Sequence, residues 1–149
     1  MSAESVDSGA VRLQIEDAIA WIVFDRPQAR NAMTWAMYQQ LGAICDRLAS
    51  GADGVRAVVM RGAGGQAFVV GTDIAQFAHF SSGDDGVSYE RQIDAGIAAI
   101  EALAMPTLAV VEGWAVGGGL AIASACDVRI ATPGAKFGVP IARTLGNCL

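Results

Sequence analysis

The sequence predicts an α/β fold, and three observations carry that expectation. Strand-like apolar runs alternate with stretches of helical periodicity, in the order strand, helix, strand, helix, strand, helix, strand. Such alternation favours parallel strands joined by helical crossovers. At 149 residues the chain is long enough for one domain with a real core and too short to favour two. Hydrophobic residues make up 53% and charged residues 17%, a supply that suits packed layers or a subunit hiding further surface in an oligomer.

Residues 1–10 read as a loose polar tail and 11–149 as the domain. Val11, Leu13 and Ile15 alternate with polar neighbours, and AIAWIVF follows at 18–24. Together they predict a β-hairpin with Glu16 and Asp17 at its turn. Asp25-Arg26-Pro27 ends the second strand, because proline cannot donate into a ladder. Thr34 is placed to cap a helix in which Tyr38, Leu41, Ile44, Cys45 and Leu48 recur at helical spacing, with Gly51 as its stop. RAVVMR at 56–61 is a buried-strand candidate, and residues 62–73 form a glycine-spaced loop around AFVV. SSGDDG at 81–86 reads as a mobile surface loop. A second helix is expected over 89–103, with Ile93, Ile97 and Ile100 on one face and Pro106 beyond its end. A strand over 107–112 runs into a glycine triplet that opens a third helix through Ala125, and strands follow at 127–131 and 136–139.

Several function classes are disfavoured. Net charge is −5 and no basic cluster exists to neutralise phosphates, so nucleic acid is not an expected partner. The most apolar stretch, 106–126, is broken by Glu112 and by four glycines, unlike a spanning segment. The N-terminus lacks an apolar signal core, and a cytoplasmic location is the expectation. Cys45, Cys126 and Cys148 match neither a metal spacing nor a disulfide framework and read as free thiols; no metal site is expected.

Two glycine turns are the strongest site candidates. The run Gly117-Gly118-Gly119 lies between a strand and a helix, where free backbone amides sit at the positive end of the helix dipole. Glycine lets a ligand oxygen approach such an amide closely, although tight packing of the helix start against a sheet would select it equally well. The second turn is Gly71-Thr72-Asp73-Ile74, again after a strand-like run, with a short helix containing Ile74 and Phe77 beyond it. The Thr72 amide facing the other turn across a crevice would make an oxyanion hole; an ordinary cap by Thr72 or Asp73 also accounts for the residues. Side chains able to move protons are sparse. Asp73 is the best-placed carboxylate, His79 stands alone among aromatics, Ser124 has no evident partner, and Arg143 and Asn147 are default surface residues. GAGGQA at 62–67 fits a loose dinucleotide-binding pattern, but AFVV follows where that pattern needs a helix. A helix directly after Ala67 would revive a nucleotide-binding reading.

Three segments, in order and spacing, resemble the enoyl-CoA hydratase/isomerase (crotonase) family across nearly the whole chain. They are Arg26-Pro27 with Asn31-Ala32-Met33; AFVVGTDI at 67–74; and EGWAVGGG at 112–119 with Cys126-Asp127 and then KFGVP at 136–140. The resemblance implies an α/β spiral of β-β-α units, truncated at its C-terminus where a helical region would continue. It implies an acyl-CoA substrate, no separate cofactor beyond the coenzyme A of that thioester, and trimers or pairs of trimers when the protein is complete. It assigns the oxyanion hole to the Thr72 and Gly118 amides, and substrate contacts to Gln28, Arg30, Gly117 and the Thr72, Asp73, Ile74, Ala75 turn.

Hydratases of this family carry one glutamate two residues after the glycine triplet and another just after the proline of the F-G-x-P segment. Ala121 and Ile141 stand at those positions. Neither moves a proton, so the resemblance extends to enolate stabilisation and not to ordinary two-glutamate hydration. The expectation is therefore an acyl-CoA enzyme of unresolved reaction, the alternative being a non-catalytic acyl-CoA-binding or assembly subunit of the same fold.

Overall fold

The computed structural model describes residues 8–140. Strands β1 (Ala10–Glu16) and β2 (Ile19–Asp25) form the expected hairpin, with Val11 opposite Phe24 and Ile15 opposite Ala20. Its turn falls on Asp17 and Ala18, both at positive φ. After Pro27 a short 3-10 turn (Pro27–Ala29) leads to α1 (Trp35–Ala49). Strands β3 (Ala57–Gly62) and β4 (Ala67–Val70) come next, then a 3-10 helix (Ile74–His79) and α2 (Gly83–Glu101). Strands β5 (Thr107–Val111) and β6 (Trp114–Val116) lead to α3 (Gly118–Ala125), and β7 (Val128–Ala131) and β8 (Lys136–Gly138) follow.

The strands divide between two sheets. One has the order β1-β2-β3-β5-β7, antiparallel in the hairpin and parallel from β2 onward. The other is parallel with the order β4-β6-β8. Each turn of the chain contributes one strand to the first sheet and the next to the second before a helix carries it back: β3-β4-α2, then β5-β6-α3, then β7-β8. This is the β-β-α spiral. The core lies between the sheets, where Phe24 of β2 meets Phe68 of β4 edge to face at 5.3 Å. Ile22, Met60 and Val69 are fully buried with them, and each such side chain contributes about 1.5–3 kcal/mol by leaving water.

The sequence signals explain most boundaries. Thr34 caps α1 as expected, accepting from the Met37 amide at 3.2 Å while its hydroxyl donates to the Ser8 carbonyl at 2.6 Å. Thr34→Ala should therefore lower stability by about 1 kcal/mol, read as a shift in the urea unfolding midpoint at constant slope. Asp127 aligns the starts of β5 and β7. Its carboxylate accepts from the Thr107 amide at 2.8 Å and the Thr107 hydroxyl at 3.0 Å, and these bonds hold it below the usual carboxylate range. Cys45 and Cys126 are free and buried, and burial raises both thiols to about 11; Cys148 lies outside the described residues.

Three expectations are corrected. Residues 81–86 are not a surface loop: α2 begins at Gly83, six residues before the expected start. Ser82 and Asp85 cap it reciprocally, each side chain bonding the other's backbone, which turns a polar, glycine-containing stretch into a helix entrance. The segment 112–116 contains the unforeseen strand β6, only three residues long. AFVV is a strand with no helix directly after Ala67, so the dinucleotide reading falls.

Candidate active site

The two glycine turns meet. Thr72 continues β4 and forms a parallel bridge with Met33: the Met33 amide donates to the Gly71 carbonyl and the Asp73 amide to the Met33 carbonyl, each at 2.9 Å. Those bonds occupy one side of the extended chain, so the Thr72 N–H points to the other side. The end of β6 lies next to this turn, with Val116 paired to Val70. Gly117 adopts φ +54°, ψ −124°, open to glycine and strained for other residues, and Gly118 is the first residue of α3. An N–H in a first helical turn has no acceptor within its own helix. A Cβ built on Gly117 would lie 3.6 Å from the Gly71 Cα, and one on Gly118 would lie 2.8 Å from the Tyr38 hydroxyl oxygen and 3.8 Å from Thr72 Oγ1. A Cβ on Gly119 would overlap the Val69 carbonyl. Backbone conformation thus selects glycine at Gly117, and close packing selects it at Gly118 and Gly119.

Both turns open into a cavity of about 700 Å³ between α2, α3 and the 3-10 helix. Phe77, Tyr89, Ile93 and Leu120 give it a largely apolar wall, and Ile74, 76% exposed, stands at its side. Ala121 and Ser124 line it from α3, so the position matching the family glutamate faces the cavity with a methyl group. Glu90 and Asp94, one helical turn apart on α2, line the same cavity. Both fall within the helix expected over 89–103, and no local pattern singles them out. Tyr38 and Tyr89 were likewise missed; Tyr38 reads as core from its spacing, and Tyr89 as a helix start.

Hydroxyls join at the Thr72 turn. Tyr38, buried on α1, and Thr72 share a hydrogen bond at 2.9 Å, and Tyr89 donates to the same Thr72 Oγ1 at 3.1 Å. Burial pushes the Tyr38 phenol up to about 12 despite its bond to Thr72, so it stays protonated. Trp35, Phe77 and Phe80 pack around the Tyr89 ring.

The remaining candidates separate. Asp73 caps the 3-10 helix through the Ala75 amide (3.0 Å) and pairs with Arg26 (2.8 Å). Burial alone would raise its carboxyl, but those partners outweigh it and the net shift is downward. Asp73, Ala75 and His79 line a second, smaller cavity together with Arg26, apart from the first. Gln28 and Arg30 are exposed. Their segment runs beside the Thr72 turn, with the Val70 amide donating to the Arg30 carbonyl at 3.2 Å. Ile141, Arg143 and Asn147 lie outside the described residues. Among the described residues, no group of three or more His, Cys, Asp or Glu side chains could hold a metal ion, and no helix is long and apolar enough to cross a membrane.

The two-sheet β-β-α spiral with glycine turns at the ends of β4 and β6 is the fold class that the sequence resemblance implies, and sequence comparison agrees. The chain matches the enoyl-CoA hydratase/isomerase family over residues 14–146 and belongs to it. It is 32% identical over 130 residues to the short-chain-enoyl-CoA hydratase of Clostridium acetobutylicum, covering 87% of this chain and 49% of that protein. It is 34% identical over 131 residues to the (E)-benzylidenesuccinyl-CoA hydratase of Thauera aromatica, covering 87% and 49%. A crystal structure of an enoyl-CoA hydratase/carnithine racemase from Magnetospirillum magneticum superposes with a TM-score of 0.87 at 29% identity, covering 98% of this chain and 55% of that one. The chain spans about half the length of the relatives it matches.

Proposed function

We propose that this chain binds an acyl-CoA and stabilises the enolate of its thioester through the Thr72 and Gly118 amides. The observation that carries the reading is the meeting of two glycine turns, from different strands, at the mouth of one apolar cavity. A thioester oxygen seated between the two amides gains two donors where negative charge develops, and the acyl chain enters the cavity past Phe77, Tyr89 and Leu120. Coenzyme A runs along the Thr72 to Ala75 turn, with Gln28 and Arg30 alongside. It enters as part of the substrate, and no separate cofactor is invoked. The relatives' names support a CoA thioester as the substrate class and leave the acyl group open. A trimer or a pair of trimers acting in the cytoplasm completes the reading.

Proton transfer needs a group that Ala121 does not supply. Glu90 and Asp94 are the carboxylates on the cavity wall, and this reading gives them the proton at the acyl α-carbon. Asp73 keeps its capping and ion-pair role. The methyl group of Ala121 favours a second reading, in which the fold binds acyl-CoA without converting it. Butyryl-CoA titration and α-proton exchange with deuterated water separate the two. Binding with exchange, cut about 10²-fold or more in a Glu90→Gln, Asp94→Asn double variant, supports catalysis. Binding without exchange supports the second reading, and no binding removes both.

A further inference from the structure

The hydroxyl cluster at the Thr72 turn has no part in the reading so far, and its geometry is specific. Thr72 Oγ1 is the meeting point of Tyr38 from α1 and Tyr89 from α2, at 2.9 and 3.1 Å. The Tyr38 hydroxyl also occupies the space against Gly118, 2.8 Å from where a Cβ there would stand. One phenol, buried and protonated, therefore touches both turns. Tyr89 donates to Thr72, so a Thr72 hydroxyl that donates to Tyr38 leaves the Tyr38 proton without an acceptor among the described residues. With Tyr38 donating instead, Thr72 Oγ1 accepts twice and its own proton is free to turn toward the cavity. In both arrangements the Thr72 side chain is held from two helices, which fixes the turn that carries its amide.

We infer that Tyr38, with Tyr89, is a positioning residue: the Tyr38–Thr72–Tyr89 hydroxyl chain sets the spacing of the Thr72 and Gly118 amides and so the strength of the oxyanion hole. This rests on the oxyanion reading above. Preorganised donors stabilise developing charge because they need not reorient as it forms, so loosening one turn weakens the hole without removing a donor.

Acetoacetyl-CoA provides the test. Loss of a C2 proton to buffer moves its electron pair onto the oxygens, and the resulting enolate has its own near-ultraviolet band. The fraction of bound ligand present as enolate reports the hole, while titration reports affinity separately. Wild type should raise the enolate fraction above that in water at the same pH. Tyr38→Phe and Thr72→Val should each lower the bound enolate-to-keto ratio about tenfold, the size of one lost hydrogen bond, with affinity changed by about twofold or less. Thr72→Ser, which keeps the hydroxyl, should stay near wild type, and Tyr89→Phe should show a smaller loss. A purely space-filling role would shift thermal stability and leave the enolate fraction untouched. Wild-type enolate fractions in Tyr38→Phe and Thr72→Val, alongside a fall in Gly118→Pro, would overturn this inference and keep the oxyanion hole. No enolate enrichment in wild type would overturn both.

Discussion

Gly118→Pro is expected to cut α-proton exchange about 10²–10³-fold while leaving the circular dichroism spectrum unchanged. Proline suits the first position of a helix, where the missing N–H costs no intrahelical bond. The substitution makes two changes, however: it removes the amide and it adds a Cβ. That Cβ would stand 2.8 Å from the Tyr38 hydroxyl oxygen, on a rigid ring that gives little way. Gly118→Ala adds the same Cβ and keeps the N–H. The ratio of rates between the alanine and proline variants therefore isolates the amide, and repeating the pair in a Tyr38→Phe background removes the steric conflict. Equal rates for alanine and proline in both backgrounds would end the oxyanion assignment.

The largest effect on stability is expected at Asn31. Its side chain is fully buried. Oδ1 accepts from the Arg26 amide at 2.9 Å, and Nδ2 donates to the Ala63 and Ala67 carbonyls, both at 2.9 Å. One amide thus holds the end of β2, the exit of β3 and the start of β4 at the place where the chain crosses between sheets. Asn31 also sits at φ +59°, which asparagine tolerates better than most residues. Asn31→Ala leaves three buried backbone groups without this partner and adds backbone strain, for a loss of about 3–5 kcal/mol in urea unfolding. Asn31→Gly relieves the strain and isolates the hydrogen bonds. Asn31→Asp keeps the acceptor but turns a carboxylate toward two carbonyls, and should lose at least as much as alanine. A loss below about 1 kcal/mol in both the alanine and glycine variants would mean that water replaces the side chain.

Asn31 also marks how far the sequence could be read. Local chemistry was legible: the Thr34 cap, the break at Pro27, the glycine turns and the alternation of the hairpin each follow from a residue acting on its immediate neighbours. The division into two sheets was not. β3 and β4 differ little in pattern, and what separates them is a crossing fixed by Asn31 from far away in sequence. β6 is too short for periodicity to register. The start of α2 was readable in principle from Ser82 and Asp85, but the glycines and aspartates around them look equally like a loop. At the site, the turns were visible because backbone conformation restricts residue type. Tyr89, Glu90 and Asp94 were not, because membership of the cavity wall depends on how α2 is rotated against α3, and no local pattern encodes that angle.

The lacing of Gly117 has a consequence for durability. Its N–H donates to the Gly138 carbonyl at 2.9 Å, while β6 is paired along its other edge with β4. Helix α3 has only eight residues, a length that is a poor anchor in water by its own hydrogen bonds. The Gly118 turn does not borrow its position from that helix; it is stitched into a sheet on two sides. Thermal unravelling of α3 from its far end would leave the turn where it is, and the helix hangs from the site rather than holding it up.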